Sequence, residues 1–134
     1  MFNRITHTTV VVSDQDEALS FYVDKLGFEK HSDAPMGPKE RWVTVNIPGD
    51  DLELVLMAPD WYTEDQEVIA YRKQLIGRNS VVVAVDDCRA AYETLRERGV
   101  LFAYEPTERD YGIEAVAKDP FGNDIVIIQA RALA

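Results

Sequence analysis

Residues 119–128 read Asp119-Pro120-Phe121-Gly122-Asn123-Asp124-Ile125-Val126-Ile127-Ile128, and this stretch decides the fold. Its first half predicts a tight turn, because proline pre-sets its own φ while glycine and asparagine tolerate positive φ. The apolar run behind the turn is β-branched and too short for a helix, so it predicts a buried strand.

The same design occurs earlier in the chain, in Pro48-Gly49-Asp50-Asp51-Leu52-Glu53-Leu54-Val55. Superposing Gly49 on Gly122 places Glu53 opposite Val126, so one copy would offer a carboxylate where the other offers two methyl groups. Working outward from these turns, the halves repeat at about 72–73 residues in element order and apolar spacing. Each half reads strand, helix, strand, strand, strand. We therefore predict an α+β fold of two paired βαβββ modules.

The repeat divides one domain into module one (1–58), a helical linker (59–78) and module two (79–130). An apolar stripe over 18–26 predicts the first helix, which Ser13 or Asp14 can cap and Gly27 can end. Asp60 or Thr63 can cap the linker helix, and Asp86 or Asp87 the last one. Residues 33–38 and 105–112 are predicted loops. A single module is too small to bury a sheet face alone, so the modules must pack together or onto another chain.

Composition limits the class of protein and its partners. The chain has 134 residues and 46% hydrophobic content, enough for one domain with a core. A net charge of −10 argues against nucleic acid and against anionic membrane as partners. Residues 1–6 lack the basic-then-apolar pattern of a signal segment, so we expect none, and no apolar run approaches the ~18–20 residues that a membrane span needs. A lone Cys88 cannot form an internal disulfide, and we expect a cytoplasmic protein.

Three stretches together resemble the vicinal oxygen chelate superfamily: 5–14 (ITHTTVVVSD), 21–28 (FYVDKLGF) and 119–123 (DPFGN). This superfamily includes glyoxalase I, bleomycin-resistance proteins and extradiol dioxygenases, and the resemblance covers nearly the whole chain. It implies a cup-shaped mixed sheet built from the paired modules, with a small molecule bound inside and often a divalent metal. It also implies a homodimer, because many short members pair.

Carried over residue by residue, the resemblance places metal ligands at His7 and Glu53 in module one. In module two the same positions hold Ser80 and Val126. An imidazole and a carboxylate suit Zn, Ni, Fe or Mn, whereas serine is a poor ligand and valine is none. Two protein ligands are one fewer than the three that catalytic zinc sites keep, so a divalent metal is an open question. Two residues elsewhere could serve as surrogate ligands, Glu114 and Asn46.

Glu53 also needs a partner for a reason independent of metal. Its neighbours Leu52, Leu54 and Val55 indicate burial, and an unpaired buried carboxylate is costly. If His7 and Glu53 face one cavity, each satisfies the other. Further side chains are candidates for lining that cavity: Trp42, Met57, Ser80, Tyr104 and Tyr111.

Three classes of function stay open at this point. The favoured one is a small-molecule-binding protein of the bleomycin-resistance kind, which needs no metal. The alternative is a metal-dependent lyase, isomerase or dioxygenase with His7 and Glu53 as ligands. The third is catalysis without metal, in which Glu53 or His7 acts as a general base on an acidic C–H. The sequence does not decide whether the protein is an enzyme.

Overall fold

Both halves of the chain have the predicted order βαβββ. The computed structural model describes residues 1–131, which divide into one compact unit over Met1–Gly77 and a second that begins at Arg78. The first unit contains β1 (His7–Val11), α1 (Gln15–Leu19) with a π-helical continuation (Ser20–Lys25), β2 (Glu29–Pro35), β3 (Arg41–Asn46), β4 (Glu53–Met57) and α2 (Gln66–Leu75). The second contains β5 (Ser80–Ala84), α3 (Cys88–Glu97), β6 (Leu101–Arg109), β7 (Gly112–Lys118) and β8 (Asp124–Ala130).

Each unit has one four-stranded mixed sheet, in the order β1-β4-β3-β2 and β5-β8-β7-β6. The first strand of each unit runs parallel to the last, and the other pairs are antiparallel. The parallel pair requires a helical crossover, which α1 or α3 provides. The predicted α+β class and its two βαβββ units are therefore confirmed. Every helix within residues 1–131 is too short or too polar to cross a membrane.

The core of the first unit lies on the sheet face against α1. Alternate residues of β3 and β4 point there, and Val43, Val45 and Leu56 are completely buried. The helical segment adds Ala18, Phe21 and Tyr22 to the buried set. Each large apolar side chain removed from water contributes about 1.5–3 kcal/mol. The opposite face of this sheet carries Glu53, and Thr44 and Val55 on that face are buried as well.

Turn and cap residues act largely as the sequence predicts. Asp14 and Asp87 cap their helices by accepting from the backbone N–H of Glu17 (2.9 Å) and Ala90 (3.0 Å). Gly122 has φ +92° in the second-unit turn, a conformation that favours glycine. Asp119 Oδ1 accepts from the N–H groups of Phe121 (2.9 Å) and Asn123 (2.8 Å), which locks this turn.

Several local predictions are wrong. Residues 33–35 and 105–109 extend β2 and β6 rather than forming loops, because the backbone pairing of a long hairpin does not depend on side-chain polarity. The linker helix is capped by Asp65, which accepts from Glu67 N (2.9 Å), and not by Asp60 or Thr63.

The first helix also departs from a single α-helix. It widens into a π-helical turn over Ser20–Lys25, where the Leu26 N–H bonds Phe21 O at 3.0 Å. This wider turn accompanies the burial of two adjacent aromatic residues, Phe21 and Tyr22, whose rings meet edge to face at 5.1 Å.

Candidate functional site

On the sheet face opposite α1, the Glu53 carboxylate is surrounded by hydrogen-bond donors. Glu53 Oε1 accepts a hydrogen bond from Thr44 Oγ1 at 2.7 Å. Its Oε2 lies 3.4 Å from His7 Nε2, and Oε1 lies 3.7 Å from His31 Nε2. The Glu53 side chain is 17% exposed, so the carboxylate is in contact with water. His7, His31, Thr44 and Glu53 are called the carboxylate cluster below.

The strand register explains how these four residues meet. His7 and Glu53 start the parallel pair β1–β4, and the Glu53 N–H donates to Thr6 O at 3.0 Å. Thr44 on β3 pairs with Val55 on β4. Val55 is two residues after Glu53, so Thr44 and Glu53 point to the same face of the sheet. His31 occupies a bulge in β2, between the paired residues Lys30 and Ser32. The prediction that His7 and Glu53 share one site agrees with this geometry.

A row of aromatic rings continues from the carboxylate cluster. The His7 ring meets the Trp42 ring edge-on, with 5.6 Å between the ring centroids. The centroids of the Trp42 and Trp61 rings are also 5.6 Å apart. Trp61 in turn packs edge to face on Tyr62 at 4.8 Å. We call Trp42, Trp61 and Tyr62 the aromatic wall. It places apolar π surface directly beside a charged group, the combination that small-molecule sites use.

The turn that carries Trp61 is held from two sides. Arg72, on α2, donates to the backbone oxygens of Trp61 (2.6 Å) and Pro59 (3.3 Å). Tyr62 adopts φ +46°, a strained value for a tyrosine, and its hydroxyl donates to Met36 O. Lys39 adds an ion pair with Glu64 at 2.8 Å. These contacts hold the turn, and with it the Trp61 and Tyr62 rings, in one position.

The remaining predicted lining residues divide between the units. Met57 lies in the first unit at the far end of β4, partly exposed and on the face that carries Glu53. Ser80, Tyr104 and Tyr111 belong to the second unit, and all three are exposed. The Tyr111 hydroxyl donates to Glu114 Oε2 at 2.6 Å, and this hydrogen bond raises the pKa of Tyr111. These residues remain predictions as ligand contacts.

The alignment of Glu53 with Val126 is wrong. By register the counterpart of the pair His7–Glu53 is Ser80–Asp124, and Asp124 N donates to Asn79 O just as Glu53 N donates to Thr6 O. Glu53 follows its turn glycine by four positions and Asp124 by two, so superposing the glycines shifted the register. The second copy therefore keeps a carboxylate, which forms an ion pair with Lys118.

The donor set of the first unit does not fit a catalytic metal centre. Across residues 1–131 there is no cluster of three or more His, Cys, Asp or Glu side chains that could hold an ion. His7 and His31 approach different oxygens of the Glu53 carboxylate, Oε2 and Oε1. Of the two surrogate ligands, Glu114 Oε2 accepts a hydrogen bond from the Tyr111 hydroxyl, and Asn46 donates through Nδ2 to the backbone oxygens of Ile47 (3.1 Å) and Asp50 (3.3 Å).

Four members of the site were missed from the sequence. No sequence signal marks the bulge that turns His31 toward Glu53. Thr44 looked like an ordinary strand residue, although it is fully buried. Trp61 and Tyr62 lie in the predicted linker (59–78), where no site residue was expected. One signal was available: the chain has only two histidines, and both belong to the carboxylate cluster.

Known proteins share this architecture along the whole chain. The chain is 40% identical over 129 residues to YurT of Bacillus subtilis (strain 168), covering 94% of this chain and 98% of YurT. The crystal structure of UcmS2 matches with TM-score 0.86 and 38% identity, covering 97% of this chain and all of UcmS2.

TnmS3, an antibiotic binding protein from Streptomyces sp. CB03234, matches with TM-score 0.80 and 30% identity, covering 97% of this chain and 98% of TnmS3. A family model matches residues 4–127. Together with the duplicated βαβββ units, these matches mean that the chain belongs to the Glyoxalase/Bleomycin resistance protein/Dioxygenase superfamily.

Proposed function

We propose that this protein binds a small planar ring compound on the first sheet, stacked on the aromatic wall and oriented by the carboxylate cluster. The observation that carries the proposal is the unbroken contact from Glu53 through His7 and Trp42 to Trp61. Ring stacking supplies contact area with little loss of side-chain freedom, and a few polar groups fix orientation. Members of the superfamily bind small molecules, and TnmS3 is an antibiotic binding protein.

Intrinsic fluorescence tests the proposal directly. The chain has two tryptophans, Trp42 and Trp61, and both lie in the aromatic wall, so the whole tryptophan signal reports on the site. Titration with two- and three-ring aromatic compounds should quench this signal saturably, and Trp42→Phe should weaken binding about tenfold. Tyr71→Phe is the matched control, because Tyr71 is a 62% exposed aromatic outside the wall. Absence of any saturable change across the series would refute the proposal.

The metal-dependent alternative depends on His7 and Glu53 alone. Members of the superfamily often bind a divalent metal, but here two protein donors leave the shell one ligand short of a catalytic zinc site. We expect less than one equivalent of Zn, Ni, Fe or Mn per chain after metal-supplemented expression. Elemental analysis measures this content. One tightly held ion per chain that His7→Ala removes would favour a lyase, isomerase or dioxygenase instead.

We also propose that the protein is a homodimer, as superfamily members often are. The second sheet supports this, because large apolar residues on it are solvent-exposed, among them Val82 at 65% and Leu101 at 75%. These residues lie on the two edge strands of the sheet, β5 and β6, and exposed apolar residues there favour a contact surface. Light scattering at micromolar concentration should give twice the chain mass, and a monomeric mass would refute the proposal. The cytoplasmic location and the lack of a nucleic acid partner stay predictions from the sequence.

A further inference from the structure

The face of the first sheet that carries Glu53 has an unusual charge composition. Within strands β1 to β4 its ionisable side chains are two carboxylates, Glu29 and Glu53, and two imidazoles, His7 and His31. Glu29 lies opposite Asn46, whose amide donates to it at 3.5 Å. Along these described strands the face has neither lysine nor arginine. Two imidazoles can at most cancel two carboxylates, so the face is never positive while the carboxylates are ionised.

Two cations hold the turn that carries Trp61. Lys39 Nζ lies 2.8 Å from Glu64 and 3.6 Å from Asp60, so two carboxylates offset its charge. Arg72 donates through Nη1 to the backbone oxygens of Trp61 and Pro59, which fixes its guanidinium at the turn. An acidic group placed at Glu53 would meet a sheet face without lysine or arginine along strands β1 to β4.

A positive group would meet the opposite situation. His7 contacts both Glu53 and Trp42, so the carboxylate is separated from the first indole by a single side chain. A cation there is attracted by the carboxylate and by the electron-rich faces of the tryptophans, and cation–π contacts contribute about 0.5–2 kcal/mol. The net charge of −10 favours approach of the same class of ligand.

We infer that the ligand of this site is a cationic aromatic compound, in which an ammonium, quaternary ammonium or amidinium group is attached to a planar ring system. The inference rests on the proposed function and specifies the ligand class for it. Glu53 anchors the charge, and the aromatic wall takes the ring.

Three probes of similar size and different charge test the inference. N,N,N-trimethyl-1-naphthylammonium is a permanent cation whose charge is attached to the ring, 1-tert-butylnaphthalene is its neutral isostere, and 1-naphthoate is an anion. Tryptophan fluorescence and calorimetry give the dissociation constant of each. The cation should bind about tenfold tighter than the neutral probe, which corresponds to ~1.4 kcal/mol. The anion should bind weakest.

Variants locate the charge preference. Glu53→Gln should reduce the ratio of the two dissociation constants, neutral probe over cation, from about tenfold to less than about threefold. Glu67→Gln is the matched control, because it removes the same charge from an exposed position on α2 and should leave the preference intact. If circular dichroism shows that Glu53→Gln does not fold, the cation preference is measured in Glu29→Gln and in the wild type instead, and these values decide whether the face selects cations.

The outcomes separate the two proposals. Equal binding of all three probes, or tighter binding of the anion, would overturn the inference while leaving the proposed function intact. A cation preference that Glu53→Gln leaves unchanged would also overturn it. Failure of every probe to change the Trp42-dependent signal would overturn the proposed function itself, and the ligand class with it.

Discussion

The turn at 119–123 is expected to be worth more to folding than any other polar feature of the second unit. Asp119 is 5% exposed, and Asn123 is completely buried. The carboxylate accepts from two backbone N–H groups and, through Oδ2, from the Asn123 amide at 2.8 Å. Asn123 Oδ1 then accepts from Asn79 N at 2.9 Å, which ties the turn to the start of β5.

Asp119→Ala removes the acceptor from all three donors. Hydrogen bonds to a charged group are worth about 1.5–3 kcal/mol each, and a buried donor left without a partner costs ~1–3 kcal/mol. These effects are not additive, because the donors share one carboxylate, so we expect a loss of about 3–5 kcal/mol. This is a large part of the 5–15 kcal/mol by which a typical domain is stable.

Urea unfolding followed by far-UV circular dichroism measures the loss. Asp50→Ala is the control, because Asp50 lies in the turn of the first unit, is exposed, and accepts a single bond from Leu52 N at 3.2 Å. It should cost less than about 1 kcal/mol. If Asp119→Ala falls within 1 kcal/mol of wild type, or if both variants cost the same, the hydrogen-bond reasoning is refuted.

Three further predictions concern the apolar core, the loss of stability at low pH and the Cys88 thiol. Leu56→Ala should cost about 2–5 kcal/mol in urea unfolding because Leu56 is completely buried, whereas Leu52→Ala, at 39% exposure, should cost less than about 1. Hydrogen bonds from Arg41 lower the pKa of Asp33, so this pair stabilises the fold above the unfolded-state pKa of the carboxyl and the contribution disappears as the pH falls through the folded-state pKa. Unfolding midpoints of wild type and Asp33→Asn should therefore differ at pH 7 and converge near pH 2; a constant difference would contradict this. Burial raises the pKa of Cys88, so a thiol reagent should label it slowly in the native protein and fully in urea. Rapid native labelling would show that the thiol is exposed.

Periodic patterns predicted the architecture well because each reports a strong local requirement. The strand runs, the capping aspartates Asp14 and Asp87 and the turn glycines all occupy the predicted places. Polar stretches were less informative. Residues 105–109 look like a loop, yet 107–109 pair with β7 after a register shift that takes up 105 and 106, because backbone hydrogen bonds are available to any residue other than proline.

The site was harder to predict, since its members meet through register rather than through sequence spacing. His7 and Glu53 could be paired from the resemblance, but His31 reaches the same carboxylate only because a bulge re-aims it. Trp61 reaches Trp42 only because Arg72 and Tyr62 hold its turn in place. Neither the bulge nor the strained turn leaves a reliable pattern in a single sequence.

The duplicated carboxylates show how one position acquires two roles. Glu53 and Asp124 occupy equivalent places at the start of a strand that pairs in parallel with the first strand of its unit. Asp124 forms an ion pair with Lys118 from the neighbouring strand, which offsets its charge. The Lys118 ammonium also donates to Gly122 O at 3.4 Å, so this ion pair stabilises the turn. Glu53 instead has Thr44 and two imidazoles, none of which is a permanent cation. Its negative charge therefore stays available to a ligand, and the difference between the copies lies in the partners of the acid rather than in its presence.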